Sequence, residues 1–200
     1  MAEQIGTYHL AANMDLYEVQ RKNNFEFIIS FADGTHNEDL LRAGVLENEA
    51  TASDYINVDR AQEIVRLSVV TSSVPHFSQN TIEIKRGNST MKLAGAPTFS
   101  AGSFEVNDYI GADTKSVLMA WQALSYNVRT EKVGKAKDYK RNCTIVELTQ
   151  DNEVVRYWEL SGCWISELSE SGKSVDDDGK QTITATIQYD RAIPHLPDVL

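Results

Sequence analysis

Two cysteines in 200 residues, Cys143 and Cys163, are too few for a disulfide framework, and they form no CxxC pair. Their expected state is buried thiol, with a disulfide or a redox role as the alternative. Bases are also short: 19 Lys and Arg stand against 29 Asp and Glu, a net charge of −10. A surface of that sign repels phosphates and argues against a protein built to grip a nucleic acid backbone. No run approaches the roughly 20 apolar residues that span a bilayer. The opening residues Met1–Thr7 show neither the basic patch nor the apolar stretch of a signal peptide. The expectation is a chain with no membrane anchor, made and folded in a cytoplasm. No repeat of solenoid or propeller length is present.

What is present fits a globular chain. It is 42% apolar and 24% charged. At this length folding can bury roughly 70% of the extended chain's surface. One domain over residues 1–200 is expected. Alternation at period two dominates, which marks half-buried strands. The clearest case is Ile82–Leu93, IEIKRGNSTMKL, with Gly87-Asn88 as its turn. That register sets Ile84 against Met91, Ile82 against Leu93 and Glu83 against Lys92, with apolar pairs on one face and an ion pair on the other. In Thr182–Tyr189 a second strand places Ile183, Ala185, Ile187 and Tyr189 on one face. Cys143–Leu148 and Val154–Leu160 read as strands joined by the turn Gln150–Glu153, with Cys163–Leu168 following Gly162. Further strands are expected at Phe25–Phe31, Ile64–Thr71 and Thr98–Val106. The fold class is therefore mainly β, an antiparallel sandwich or barrel.

One helix interrupts this pattern. Asp113 or Thr114 can cap it, and Val117, Trp121, Leu124 and Val128 form the stripe that would pack on a sheet. Asp33–Arg60 resists a periodic reading. It is expected as a polar, acidic loop or insertion, with a short helix near Glu38–Val45.

No catalytic constellation is visible: HExxH, GxSxG and a glycine-rich dinucleotide loop are all missing. Gly111–Ser116 ends in Lys-Ser like a phosphate loop but lacks its glycines, so a helix cap explains it better. Asp176–Gly179 lacks the alternating ligands of a calcium loop. His9, His36, His76 and His195 show no metal-ligand spacing. No cofactor, metal or catalytic residue is expected.

The charge is segregated. Residues 1–60 hold 11 acids and 4 bases, residues 129–141 hold 6 bases and 2 acids, and residues 166–190 hold 6 acids and 2 bases. These are either solvated loops or a self-complementary surface in which a basic loop meets an acidic region of a neighbour.

Six stretches together resemble the tail tube proteins of contractile-tailed bacteriophages. They are Ser73–Asn80 (SVPHFSQN), Ile82–Ser89 (IEIKRGNS), Asn107–Lys115 (NDYIGADTK), Ala120–Tyr126 (AWQALSY), Glu131–Thr144 (EKVGKAKDYKRNCT) and Thr184–Ala192 (TATIQYDRA). The resemblance spans about Ile64 to Pro194, and Asp33–Arg60 departs from it. Tubes of phage-like bacteriocins, extracellular injection systems and type VI secretion share that fold.

The resemblance implies a non-catalytic structural subunit: a β-sandwich with one flanking helix, assembled as hexameric rings with a continuous inner β-barrel. The rings stack into a hollow tube in the virion, through which DNA passes without specific binding. Sheath, tape-measure and tail-tip or baseplate proteins are the implied partners. Subunit-interface candidates are Ile82, Ile84, Met91 and Leu93 on the hairpin, and Lys132, Lys135, Lys137, Lys140 and Arg141 in the basic segment. Glu83 and Glu105 are candidates for the lumen, where an acidic wall would let the duplex slide. One alternative is the tube of a phage-like secretion or injection system. The other is a β-sandwich carbohydrate-binding or adhesion module, which would need Tyr157, Trp158 and Trp164 as exposed stacking platforms.

Overall fold

The computed structural model describes residues 20–31, 58–109, 114–174 and 178–196. Strand β1 (Phe25–Ser30) is followed by helix α1 (Val58–Ser68), β2 (Val69–Ser72), the hairpin β3 (Phe77–Arg86) and β4 (Ser89–Phe99), and β5 (Gly102–Asn107). Helix α2 (Thr114–Ser125) leads into two short strands, β6 (Tyr126–Asn127) and β7 (Lys132–Val133), and a single turn, α3 (Ala136–Tyr139). The chain closes with β8 (Arg141–Leu148), β9 (Val154–Glu170), β10 (Thr182–Gln188) and β11 (Arg191–His195).

One antiparallel sheet runs in the order β1-β8-β9-β10-β5-β2, with β11 also on β9. Strand β9 belongs to both halves of this sheet. Its first part pairs with β8 and β11, and from Trp164 onward it pairs with β10. Gly162 stands at the handover with φ +71, a backbone region that favours glycine. A Cβ there would collide with the Asp190 carboxylate, which Lys140 Nζ holds at 2.7 Å. Two segments expected as separate strands are thus one long strand bent at a glycine.

The bend folds the two half-sheets onto each other. Phe27 of β1 stacks on Phe104 of β5 with ring centroids 4.7 Å apart. Alternation decides which side faces in: Ile183, Ala185 and Ile187 of β10 are buried, as are Cys143 and Ile145 of β8. Helix α2 adds Val117, Leu118, Ala120, Trp121 and Leu124 to the same core, and Phe31 meets Trp121 edge-on at 5.6 Å. The Trp121 indole N–H donates to the Tyr139 carbonyl at 2.9 Å.

Three expectations need correction. Ile64–Ser68 is helix, not strand, and only Val69–Ser72 is extended. Ala61, Ile64, Val65 and Ser68 recur at helical spacing and are buried, whereas Glu63, Arg66 and Leu67 face out. The dense β-branched residues that continue into β2 conceal this period. Val128 leaves the apolar stripe because α2 ends at Ser125, and it is 82% exposed. Thr98–Val106 is broken at Ser100-Ala101 between β4 and β5. Thr114 opens α2, with its hydroxyl paired to the Ser68 hydroxyl at 3.0 Å. The suggested cap Asp113, the helix near Glu38–Val45, most of the acidic stretch 33–60 and Asp176-Asp177 of the turn Asp176–Gly179 lie outside the described residues. Of that stretch, Val58–Arg60 forms the first turn of α1.

Candidate assembly surfaces

The β3–β4 hairpin has the register expected from sequence: Ile82↔Leu93, Glu83↔Lys92 and Ile84↔Met91. It forms a two-stranded sheet of its own. Ten residues of β3 reach about 33 Å at the usual rise per residue. Ile82, Ile84, Met91 and Leu93 keep 52%, 40%, 55% and 43% of their surface, so within the subunit their shared face is largely uncovered. A bulge between Gln79 and Thr81 sets Asn80 beside Gly95, where any Cβ would collide with the Asn80 carbonyl oxygen. At the base, Phe99 anchors the hairpin, with Phe77 on one side and Tyr189 on the other, at 5.9 and 6.1 Å.

The five bases of the second candidate set are not equivalent. Arg141 is 2% exposed and donates through Nη1 to the Lys140 carbonyl at 2.9 Å, so it belongs to the subunit interior and has no surface to offer a neighbour. Lys140 is committed to Asp190. Lys132, Lys135 and Lys137 are exposed, and among the described residues no acid pairs with them. Their segment is firmly mounted. Gly134 N–H donates to the Ser125 carbonyl at 2.9 Å, and a Cβ on Gly134 would run into the Leu124 carbonyl oxygen. Asn127 Oδ1 accepts from the Arg129 and Thr130 N–H groups at 3.0 and 3.2 Å. Val128 and Val133, 82% and 78% exposed, stand among these bases.

The two lumen candidates differ as well. Glu83 lies on the polar face of the hairpin, 3.6 Å from Lys92. Glu105 lies on the outward face of the half-sheet β2-β5-β10-β9. Cross-strand pairing there sets Thr71, Glu105, Thr184 and Ser169 in one row, and Ser103, Thr186 and Glu167 in the next. These rows hold hydroxyls and two carboxylates and no base. The alternation Thr182-Thr184-Thr186 was legible in sequence. The rows themselves needed the pairing of β10 with β5 and β9, strands distant in the chain.

The remaining chemistry-bearing groups are structural. The Cys143 and Cys163 thiols are free and buried, and burial pushes the Cys143 thiol well above its ordinary range. Lys115 holds the Glu170 carboxyl below its ordinary range through a 2.6 Å contact that ties α2 to β9. The three aromatic residues of the alternative reading share no platform. Trp158 packs against the core, Tyr157 stacks on His195 at 4.3 Å, and Trp164 meets Tyr139 edge-on at 6.0 Å. Among the described residues no group of three His, Cys, Asp or Glu could hold a metal ion, and no helix is long and apolar enough to cross a membrane.

No family model matches the chain, and no curated protein matches it. Solved structures do. A chain of the PVC extracellular contractile injection system, in its extended sheath–tube complex, aligns over 97% of this chain and 100% of its own, with TM-score 0.59 and 13% identity. A chain of the anti-feeding prophage baseplate aligns over 90% of this chain and 98% of its own, with TM-score 0.59 and 11% identity. One from the tube-terminating cap of the same particle aligns over 98% of both chains, with TM-score 0.59 and 12% identity. At these identities the likeness is one of fold, and the chain has the fold of the tail-tube proteins of contractile injection systems.

Proposed function

We propose that this protein is the tube subunit of a contractile tail, with six copies forming a ring and rings stacking into a hollow conduit. The observation that carries the reading is the alignment along essentially the whole of both chains with a component of a sheath–tube complex. Two surfaces support it. The uncovered apolar face of the β3–β4 hairpin suits contact with an adjacent subunit, and closing the ring would remove the free edges of the bent sheet. The outward rows of Thr71, Ser103, Glu105, Glu167, Ser169, Thr184 and Thr186 suit a bore wall, because they hold no positive charge to neutralise phosphates and two carboxylates that repel them. Glu105 keeps its place in that wall. Glu83, already paired with Lys92 on the hairpin, fits it less well.

In this reading the conduit passes a phage genome, and sheath, tape-measure and baseplate proteins are its neighbours in the virion. A second reading, the tube of an extracellular injection particle, is favoured by the particles to which the aligned structures belong. The test is negative-stain microscopy of the purified protein, alone and seeded with its own tail tip. Rings or tubes of uniform bore are expected. A protein that stays monomeric at high concentration and also fails to elongate from the seed would end the proposal.

A further inference from the structure

The charge of this chain is divided in a way that net charge conceals. Residues 32–57 hold six acids, Asp33, Glu38, Asp39, Glu47, Glu49 and Asp54, and one base, Arg42. In contrast, the surface built by Val128, Arg129, Lys132, Val133, Lys135 and Lys137 is basic, exposed and fixed in shape. Its rigidity comes from the bond between Gly134 and Ser125, the Asn127 turn, and the indole of Trp121 beneath Tyr139. Two valines at about four-fifths exposure, between lysines that pair with no acid among the described residues, carry a cost in the isolated subunit that a partner would remove.

We infer that this basic platform is the docking site for a second copy of the chain, through the acidic stretch 32–57 of that copy. The inference rests on the tube reading, since it places the contact between neighbouring subunits. Charge complementarity points to this occupant. Residues 147–179 are as acidic, but Glu147, Glu159 and Glu170 there already face Arg156, His195 and Lys115. Position agrees with it. Phe31, which immediately precedes the stretch, packs 5.6 Å from Trp121, and Trp121 bonds to Tyr139 within the platform segment. Each subunit therefore displays the platform next to the point where its own acidic stretch departs, and neighbours in a ring could exchange stretches over a short distance. The contact should weaken with salt, because screening shortens the reach of charge from about 8 Å at 0.15 M to about 3 Å at 1 M.

The test is zero-length carbodiimide coupling of the assembled full-length protein, prepared from equal parts normal and ¹⁵N-labelled copies. Peptide mass spectrometry should find Lys132, Lys135 or Lys137 joined to acids of residues 32–57, in links that mix the two isotopes. Absence of such links, or links confined to single-isotope pairs, overturns the inference. The variant K132E/K135E/K137E leaves no amine to couple at these positions, so it is read by assembly, which at 0.15 M salt should fall on the order of tenfold or more. Its melting temperature should hold, because all three side chains are exposed. If the variant forms rings and tubes as the parent does, the platform is not the contact, while the tube reading stands. If the parent itself forms none, even when seeded, the tube reading falls and mixed-isotope links will be missing too.

Discussion

Replacing Ile84 and Met91 with Asp separates assembly from folding at the hairpin. In the subunit these side chains keep 40% and 55% of their surface and face each other across β3 and β4. Burying a whole Ile or Met stabilises by about 1.5–3 kcal/mol, so covering the remaining half of each gives about 1 kcal/mol, or about 2 for the pair. The Asp variant loses that and must bring two like charges into an apolar contact, which adds at least about 2 kcal/mol. A total near 4 kcal/mol raises the concentration needed for assembly about a thousandfold. The monomer should change less. The half of each side chain already covered within the hairpin contributes about 1 kcal/mol by the same measure, and two facing carboxylates add a few tenths to about 1, a total of about 2–3 kcal/mol. A chain of this size should then stay folded but melt about 5–10 °C lower. Circular dichroism melts report the fold, and sedimentation with negative-stain imaging reports assembly. An I84D/M91D monomer that is unfolded would place the hairpin in the core and refute the reasoning. Tubes at parental concentrations would refute it from the other side.

Other outcomes follow from the packing. Gly162→Ala forces a Cβ onto the Asp190 carboxylate at φ +71 and should cost about 1–3 kcal/mol in denaturant titration; an unchanged midpoint would contradict the corner assigned to this residue. Trp121→Ala should cost about 3–5 kcal/mol, since the ring is 1% exposed and its N–H bond to Tyr139 goes with it. Neither thiol should react with a maleimide in the native protein, and both should react once it is unfolded; fast native labelling would show that the core opens. The Glu170 carboxyl titrates below its unfolded value, so its contribution is present above the unfolded pKa and disappears as pH falls through the folded one. Lys115→Met should therefore destabilise at neutral pH and converge with the parent in acid, and a gap that does not depend on pH would mean the pair acts through packing alone.

The legible parts of the fold were those written locally. Period two with a Gly-Asn turn was enough for the β3–β4 register, and the Thr182–Tyr189 alternation gave both faces of β10. Helix α1 was missed because Ile64, Val65, Val69 and Val70 form a β-branched run in which a helical stripe and a strand look alike. The continuity of β9 was hidden by Gly162, which punctuates a sequence as a turn does but here bends a strand. For the surfaces, exposure was the undetermined quantity. Arg141 sits in the same basic run as Lys137, yet one is sealed in the core and the other open to water. That difference arises because β8 points Arg141 inward along with Cys143 and Ile145.

The length of β9 has a mechanical consequence. Its 17 residues amount to a tie roughly 55 Å long that is hydrogen-bonded to β8 and β11 at one end and to β10 at the other. Neither half-sheet can melt or slide without pulling on the strand it shares, so the subunit should yield as one unit under load. In the tube proposed above, such a member would carry tension across the wall. Its weak point is the corner at Gly162, where the Lys140–Asp190 ion pair acts as the gusset.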